Sequence, residues 1–285
     1  MSTQPTLTPA NHDRDSADKT YVYPVVSRRA GGVSVGINLN PNNACNWACI
    51  YCQVPNLGRG AAPPVDLGLL ETELRAMLKD ILHGDFMQTR VPEGARRLND
   101  IALSGNGEPT SAREFPQVID LIGRVMADFG LLGRIKLVLI TNGSLVDRPR
   151  VQQGLKKMTA LNGEVWFKLD SGTAGGLRRV NQTRASPEKH FARLKLAAAL
   201  CPTWLQSCVF ALDGSPPDAA EQAAYLDVIR RIRQERIPVQ GVLLYGLARP
   251  SLQPAAPRLT ALPAAWMENW AEAIREAGLP VKLTP

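Results

Sequence analysis

Apolar positions along the chain fall into two alternating rhythms. Short runs such as "VSVGINL" (33–39), "DIALSG" (100–105), "IKLVLITNG" (135–143) and "VWFKLD" (165–170) are almost continuously apolar. Between them lie longer stretches in which apolar residues recur every three or four positions. Leu70, Leu74, Met77, Leu78 and Ile81 do so over 67–83, and Phe115, Val118, Ile119, Ile122 and Met126 over 113–129. The first rhythm predicts strands and the second amphipathic helices. It continues with strands over 204–212 and 239–246 and helices over 147–160, 187–200, 217–235 and 263–277. Pro149 falls in the first turn of one helix, and Ser186 with Pro187 offers a cap and a first position to another. The closing "PVKLTP" predicts a short edge strand.

Six strand–helix units in succession imply an α/β fold with a parallel sheet covered by helices. An open doubly wound sheet and a partial barrel share this pattern, and both bind ligands at the carboxyl ends of their strands. The first nineteen residues are polar and read as a disordered tail. The rest, 20–285, reads as one domain, with its core over about 33–246 and a closing helix and strand within 262–285.

Composition narrows the class. The chain has 285 residues and 45% hydrophobic content, enough for a sizeable core. No apolar run approaches the ~18–20 residues of a membrane-spanning helix. Five cysteines, an odd number unevenly spread, argue against a secreted disulfide framework and for a reducing cytoplasm. The net charge of +7 suits nucleic acid or a phosphorylated substrate. The basic residues are scattered through "SRR", "ARR", "LRR" and "IRRIRQER", which fits an ordinary solvated surface better than a binding patch.

The chemistry concentrates in "ACNWACIYCQ" (44–53), where Cys45, Cys49 and Cys52 lie within eight positions. Thiolates suit zinc or iron–sulfur clusters. A closed four-ligand site is poorly supplied, because only Cys201, Cys208 and the isolated His12, His83 and His190 remain as further ligands. Cys201 and Cys208 read as buried small hydrophobes. Three thiolates on a four-iron cluster leave one iron open, the mark of a reactive site.

Polar groups mark the other strand ends as well. "LSGNGEPT" carries Gly105, Asn106, Gly107 and Glu108, glycines that let backbone approach a ligand beside a carboxylate that can accept from an ammonium. "ITNGS" ends its strand with Thr141 and Asn142. In "VWFKLD", Trp166, Lys168 and Asp170 share one face of the strand.

The C-x3-C-x2-C spacing with Tyr51 before the last cysteine, set directly after a strand, resembles the radical S-adenosylmethionine (SAM) superfamily. Its Gly-Gly-Glu element corresponds here to Gly-Asn-Gly-Glu, with Asn106 inserted. "VVSRRAGGVSVGINL", "LSGNGEPT", "FKLDSGT", "LRRVNQ" and "VLLYGLARP" further resemble bacterial relatives of the wyosine-base tRNA-modifying enzymes. The resemblance implies a partial (β/α)6 barrel of the TIM type and a [4Fe–4S] cluster on Cys45, Cys49 and Cys52. The open iron would be chelated by SAM, and reductive cleavage would yield methionine and a 5′-deoxyadenosyl radical that abstracts hydrogen. It also implies SAM contacts from Tyr51, Gly105, Gly107, Glu108, Thr141, Asn142, Lys168 and Asp170. Arg28, Arg29, Tyr245 and Arg249 are candidates for an anionic substrate or the SAM carboxylate. No cysteine precedes Cys45, so the second upstream cluster of the archaeal relatives has no ligands here. A flavodoxin or ferredoxin would supply the electron, and a tRNA or a protein would be the substrate. An RNA-modifying enzyme, an activase that installs a radical on a partner protein, and a non-enzymatic iron–sulfur carrier or sensor remain as readings.

Overall fold

A computed structural model describes residues 6–7, 19–27 and 31–284. Eight strands form a single sheet in which each lies beside its neighbour in sequence. Strand β1 (Val22–Ser27) runs antiparallel to β2 (Gly32–Asn38), with Tyr23 opposite Gly36. From β2 the sheet continues in parallel through β3 (Leu98–Ser104), β4 (Lys136–Thr141), β5 (Gly163–Lys168), β6 (Thr203–Cys208), β7 (Val239–Tyr245) and β8 (Val281–Thr284). The sheet curls into a partial barrel.

Helices α1 (Leu67–His83), α2 (Phe115–Asp128), α3 (Pro149–Thr159), α4 (Ala174–Asn181), α5 (Pro187–Leu200), α6 (Ala219–Gln234) and α7 (Ala264–Glu276) cross between the strands. Their starts are fixed chemically. Asp66 accepts from Leu69 N–H at 2.9 Å, Thr173 from Gly176 N–H at 2.8 Å and Asp218 from Glu221 N–H at 2.8 Å. Ser186 caps α5 and Pro187 opens it, as the sequence predicts.

Strand alternation divides the interior. Val33, Val35, Ile37, Ile101, Leu103, Leu137, Leu139, Val165 and Phe167 are fully buried and join the main apolar core. The alternate positions Ser34, Gly36, Asp100, Ala102, Ser104, Trp166 and Lys168 line an interior cavity. Most of these inward residues are small or polar and leave space inside the barrel, while apolar outward residues hold the helices.

Element boundaries fall within two residues of the sequence reading, with one exception. The run 204–212 divides into β6 and a separate Ala211–Leu212 pair, antiparallel to Leu259–Thr260. Of the elements that the pattern does not announce, two shape the barrel and its site, beside the short helix Phe86–Arg90 and small strand pairs in the loops. Strand β1 contains Pro24, which weakens the strand signal and is tolerated here because β1 lies at the sheet edge. Helix α4 carries Gly175 and Gly176, poor helix formers, in its first turn. At Gly176 a Cβ would stand 2.4 Å from Glu221 Oε2, so close packing explains the glycine. Arg28 and Arg29 lie outside the described residues, as does most of the segment 1–19. Within that segment Leu7 is buried, and its N–H donates to the Arg90 carbonyl at 2.8 Å. Among the described residues, no helix is long and apolar enough to cross a membrane.

Candidate functional site

The cavity measures about 290 Å³ and extends along the barrel interior to the loops at the carboxyl ends of the parallel strands. Its walls include Cys45, Cys49, Cys52, Tyr51, Gly105, Gly107, Glu108, Thr141, Asn142, Lys168, Tyr245 and Arg249. Residues distant in sequence thus converge on one space. Asp170 stands behind this wall and acts on it through Tyr51.

The cysteine loop follows β2 and is strapped from two directions. From α4, the carbonyls of Asn181 and Val180 accept from Ala48 N–H at 3.2 Å and Ile50 N–H at 2.9 Å. From the loop after β7, Ser251 Oγ donates to the Ile50 carbonyl at 2.7 Å, and Leu252 N–H donates to the Cys52 carbonyl at 3.0 Å. Gln253 Nε2 adds bonds to the carbonyls of Cys52 at 3.1 Å and Val54 at 2.8 Å. A small apolar cluster of Ile50, Tyr51, Cys208 and Phe210 packs beneath.

All five cysteines are free thiols. Burial pushes the Cys45 thiol up to about 12. Burial, then the neighbouring Asp170 carboxylate, does the same for Cys49. Such thiols become ligands when a bound cation displaces their protons. Among the described residues, no three His, Cys, Asp or Glu side chains converge tightly enough to hold a single metal ion. The three thiols instead line the cavity wall, an arrangement that suits a cluster, whose thiolates each bind a different iron.

The Gly-Asn-Gly-Glu turn serves as a frame. Asn106 N–H donates to Asn38 Oδ1 at 3.0 Å, and Asn106 Nδ2 donates to Asn43 Oδ1 at 2.6 Å. Gly105 has φ +113, and a Cβ on Gly107 would stand 2.1 Å from the Ala44 carbonyl oxygen. Both glycines are thus required by close packing on the loop after β2, a reason within the protein rather than in a ligand.

Glu108 is buried at 2% exposure and accepts four hydrogen bonds from the protein. Its Oε1 takes Thr110 N–H at 3.1 Å and the hydroxyls of Thr110 and Thr141, each at 2.6 Å. Its Oε2 takes Asn142 N–H at 2.7 Å, leaving acceptor capacity on that oxygen alone. Burial raises the Glu108 pKa, and these donors oppose the rise. Thr141 and Asn142 are likewise engaged. Thr141 Oγ1 accepts from Gly143 N–H at 3.0 Å, and Asn142 Nδ2 donates to Asn46 Oδ1 at 2.8 Å. Asn46 then bonds Ser144 Oγ at 2.7 Å, tying the cysteine loop to the turn after β4.

The opposite wall carries charge. Lys168 Nζ lies 2.9 Å from Tyr245 Oη and 3.3 Å from Tyr51 Oη, and over both rings at 5.5 and 5.3 Å. Burial opposes its charge, but Tyr245, Asp170 and Cys49 around it hold its pKa above the ordinary lysine value. Tyr51 donates to Asp170 Oδ2 at 2.6 Å, and burial, reinforced by that carboxylate, raises the tyrosine's own pKa. Asp170 also accepts from Asn181 Nδ2 at 2.7 Å and from Cys208 N–H at 2.9 Å.

Cys201 and Cys208 are both buried. Cys208 lines the cavity, while Cys201 lies elsewhere, its Sγ 3.5 Å from the Gly163 carbonyl. Sequence reasoning missed Asn38, Asn40, Asn46, Asn181 and Ser251, which hold the rim together. Asn38 and Asn181 close their strand and helix and Asn40, Asn46 and Ser251 lie in loops, but sequence alone does not show what each one reaches.

No protein-family model matches the chain. A UPF0026 protein of Helicobacter pylori is 29% identical over 160 residues, which is 56% of this chain and 45% of its own. A UPF0026 protein of Synechocystis is 27% identical over 168 residues, 59% of this chain and 54% of its own. The chain's match spans about half the length of these curated relatives. A GTPase Obg of Brachyspira hyodysenteriae is 23% identical over 246 residues, only 32% of its length, and this chain has no G-x4-G-K-[ST] phosphate loop.

Solved structures agree on the fold. A radical SAM methyltransferase from Sphaerobacter thermophilus superposes with a TM-score of 0.58 at 14% identity, covering 89% of this chain and 66% of that one. The AdoMet-bound anSMEcpe gives 0.51 at 16% identity, covering 87% and 63%. A spore photoproduct lyase gives 0.51 at 11% identity, covering 85% and 74%. The partial barrel expected from the sequence is the fold of these radical SAM structures.

Proposed function

We propose that the protein is a radical SAM enzyme that holds a [4Fe–4S] cluster on Cys45, Cys49 and Cys52 and binds SAM beside it. The observation carrying this reading is the convergence of the three thiols, the Gly-Asn-Gly-Glu turn and the half-buried cation Lys168 on one cavity. When bound, the cluster and SAM would supply one-electron cleavage of the sulfonium and a radical able to abstract hydrogen.

The chain's own residues have distinct tasks in this reading. Lys168, held charged by its neighbours, is the partner for an anionic group such as the SAM carboxylate. The remaining acceptor capacity of Glu108 Oε2 suits an ammonium. Thr141, Asn142 and Asn46 fix the turns against the cysteine loop. Tyr51 and Asp170 position Lys168, and the apolar cluster under the loop keeps water from that side.

For the substrate, the reading favours a base in tRNA or another RNA. Net charge +7 supports it, as do the exposed Arg59, Arg178, Arg179 and Arg184 on and next to the segments that strap the cysteine loop. A flavodoxin or ferredoxin in the cytoplasm would be the reductant.

The test is anaerobic reconstitution, then SAM, dithionite and pooled cellular RNA, with 5′-deoxyadenosine as readout. The expected result is about four irons per chain, SAM cleavage, and faster cleavage with RNA. A full cluster without cleavage would favour an electron carrier or sensor. Cleavage indifferent to RNA would remove the RNA substrate and leave a small molecule or a protein.

A further inference from the structure

Asn181, the last residue of α4, is completely buried and donates its side-chain amide in two directions. Nδ2 lies 2.7 Å from Asp170 Oδ2 and 3.3 Å from Cys49 Sγ. A primary amide has two N–H bonds, so both contacts can be made at once. The amide's orientation is fixed by chemistry, because the flipped form would set Oδ1 against the Asp170 carboxylate. Among the described residues, Asn181 Oδ1 has no hydrogen-bond partner, so the side chain's polar contacts are these two alone.

Three backbone donors around Cys49 are occupied elsewhere. Ala48 N–H and Ile50 N–H are taken by the carbonyls of Asn181 and Val180, and Cys52 N–H by the Cys49 carbonyl at 3.0 Å. The same α4 terminus therefore takes up two backbone donors of the loop and supplies one side-chain donor to the sulfur. Asp170 completes the device: itself held by Tyr51 and Cys208 N–H, it fixes the amide that reaches the sulfur.

We infer that Asn181 is a positioning residue that raises the reduction potential of a cluster bound at Cys49, through an N–H···S bond to that thiolate. This rests on the cluster reading above. Reduction adds negative charge that spreads onto the sulfur ligands, and a hydrogen bond to a ligand sulfur stabilises the more negative state. Removing the donor makes reduction harder without removing a ligand.

The experiment is an EPR-monitored redox titration of the reconstituted full chain without SAM, with iron and sulfide counted in parallel. Asn181→Ala should keep its full iron and sulfide content. The equilibrium constant for reduction should fall by about tenfold, a shift of about 59 mV downward for one electron. Asn181→Ser, whose hydroxyl keeps a donor, should recover part of the shift. Unchanged potential in both variants, with clusters intact, overturns the inference and leaves the cluster reading standing. A wild-type chain that binds no cluster overturns both. Should the substitutions prevent folding, 15N-asparagine labelling of the unaltered protein decides. A 15N coupling to the reduced cluster supports the bond, and its absence refutes it.

Discussion

On the helix-covered side of the sheet, Val35, Ile101, Leu139 and Phe167 are fully buried in one continuous apolar core. At the carboxyl-end rim the cysteine loop rests on a small cluster and is otherwise fixed by hydrogen bonds from segments up to 201 residues away in sequence. Burial of an aliphatic or aromatic side chain contributes about 1.5–3 kcal/mol and has no direction. A hydrogen bond contributes only about 0.5–1.5 kcal/mol net but fixes where an atom stands. The core therefore governs whether the chain folds, and the rim governs where three sulfurs, two carboxylates and one ammonium are placed.

The largest effect should come from the rim and leave the core untouched. On the proposed reading each thiolate would hold its own iron, so replacing Cys45, Cys49 or Cys52 by alanine should abolish cluster binding, no other cysteine standing in the loop. Cys201→Ala, buried on another part of the fold, should bind iron normally. Iron and sulfide analysis after reconstitution checks both. A full four-iron complement in any of the three rim variants would break the division.

Phe115→Ala tests the reverse case. Phe115 is fully buried at the start of α2, packed so closely on α3 that a Cβ on Gly154 would stand 2.3 Å from its ring. Losing the ring should cost about 3–5 kcal/mol in denaturant unfolding. Iron per folded chain should not change.

His190 couples the two regions. It lies in α5, with its ring 4.7 Å from Phe167 in the core and 5.5 Å from Trp47 in the cysteine loop. Its Nε2 is 2.9 Å from the Lys168 carbonyl, and burial pulls its pKa down to about 4. The unfolded chain, with histidine near 6.5, binds the proton more readily than the folded one. Stability is therefore full above pH 6.5 and falls as pH drops toward 4, by on the order of 3 kcal/mol. His190→Phe should flatten that part of the curve. Urea unfolding of the metal-free protein from pH 7 to 4 is the measurement, and an unchanged slope in the variant would assign the acid sensitivity elsewhere.

The same contrast explains what could be read in advance. The extent of helix α1 is legible in the sequence, because Leu70, Leu74, Met77, Leu78 and Ile81 repeat at helical spacing and all face the core. The cysteine triplet and the Gly-Asn-Gly-Glu turn were legible as motifs because their chemistry is local. The four protein donors on Glu108 were not, since two of them lie thirty-odd residues away on another strand end. Nor was the reach of Asn181 to Cys49, across 132 positions. Periodicity reports which face of an element is buried, whereas hydrogen-bonded frames depend on how the elements meet.

The smallest predicted effect is also the one that separates a ligand from a frame. In Glu108→Gln the amide nitrogen must replace one carboxylate oxygen. On the Oε1 side it would face Thr110 N–H, and on the Oε2 side Asn142 N–H, so either orientation leaves a backbone donor without its acceptor. The threonine hydroxyls can turn to accept, but the backbone amides cannot. The metal-free protein should lose about 1–3 kcal/mol of stability. If Oε2 also meets the SAM ammonium, SAM affinity should fall by about tenfold or more, at 1.4 kcal/mol per decade. Thermal unfolding of the metal-free chain and anaerobic calorimetry with SAM read the two quantities separately. A loss of stability with unchanged affinity would make Glu108 a frame residue alone. A loss of affinity with unchanged stability would mean that the four protein donors contribute little and that the carboxylate serves the ligand.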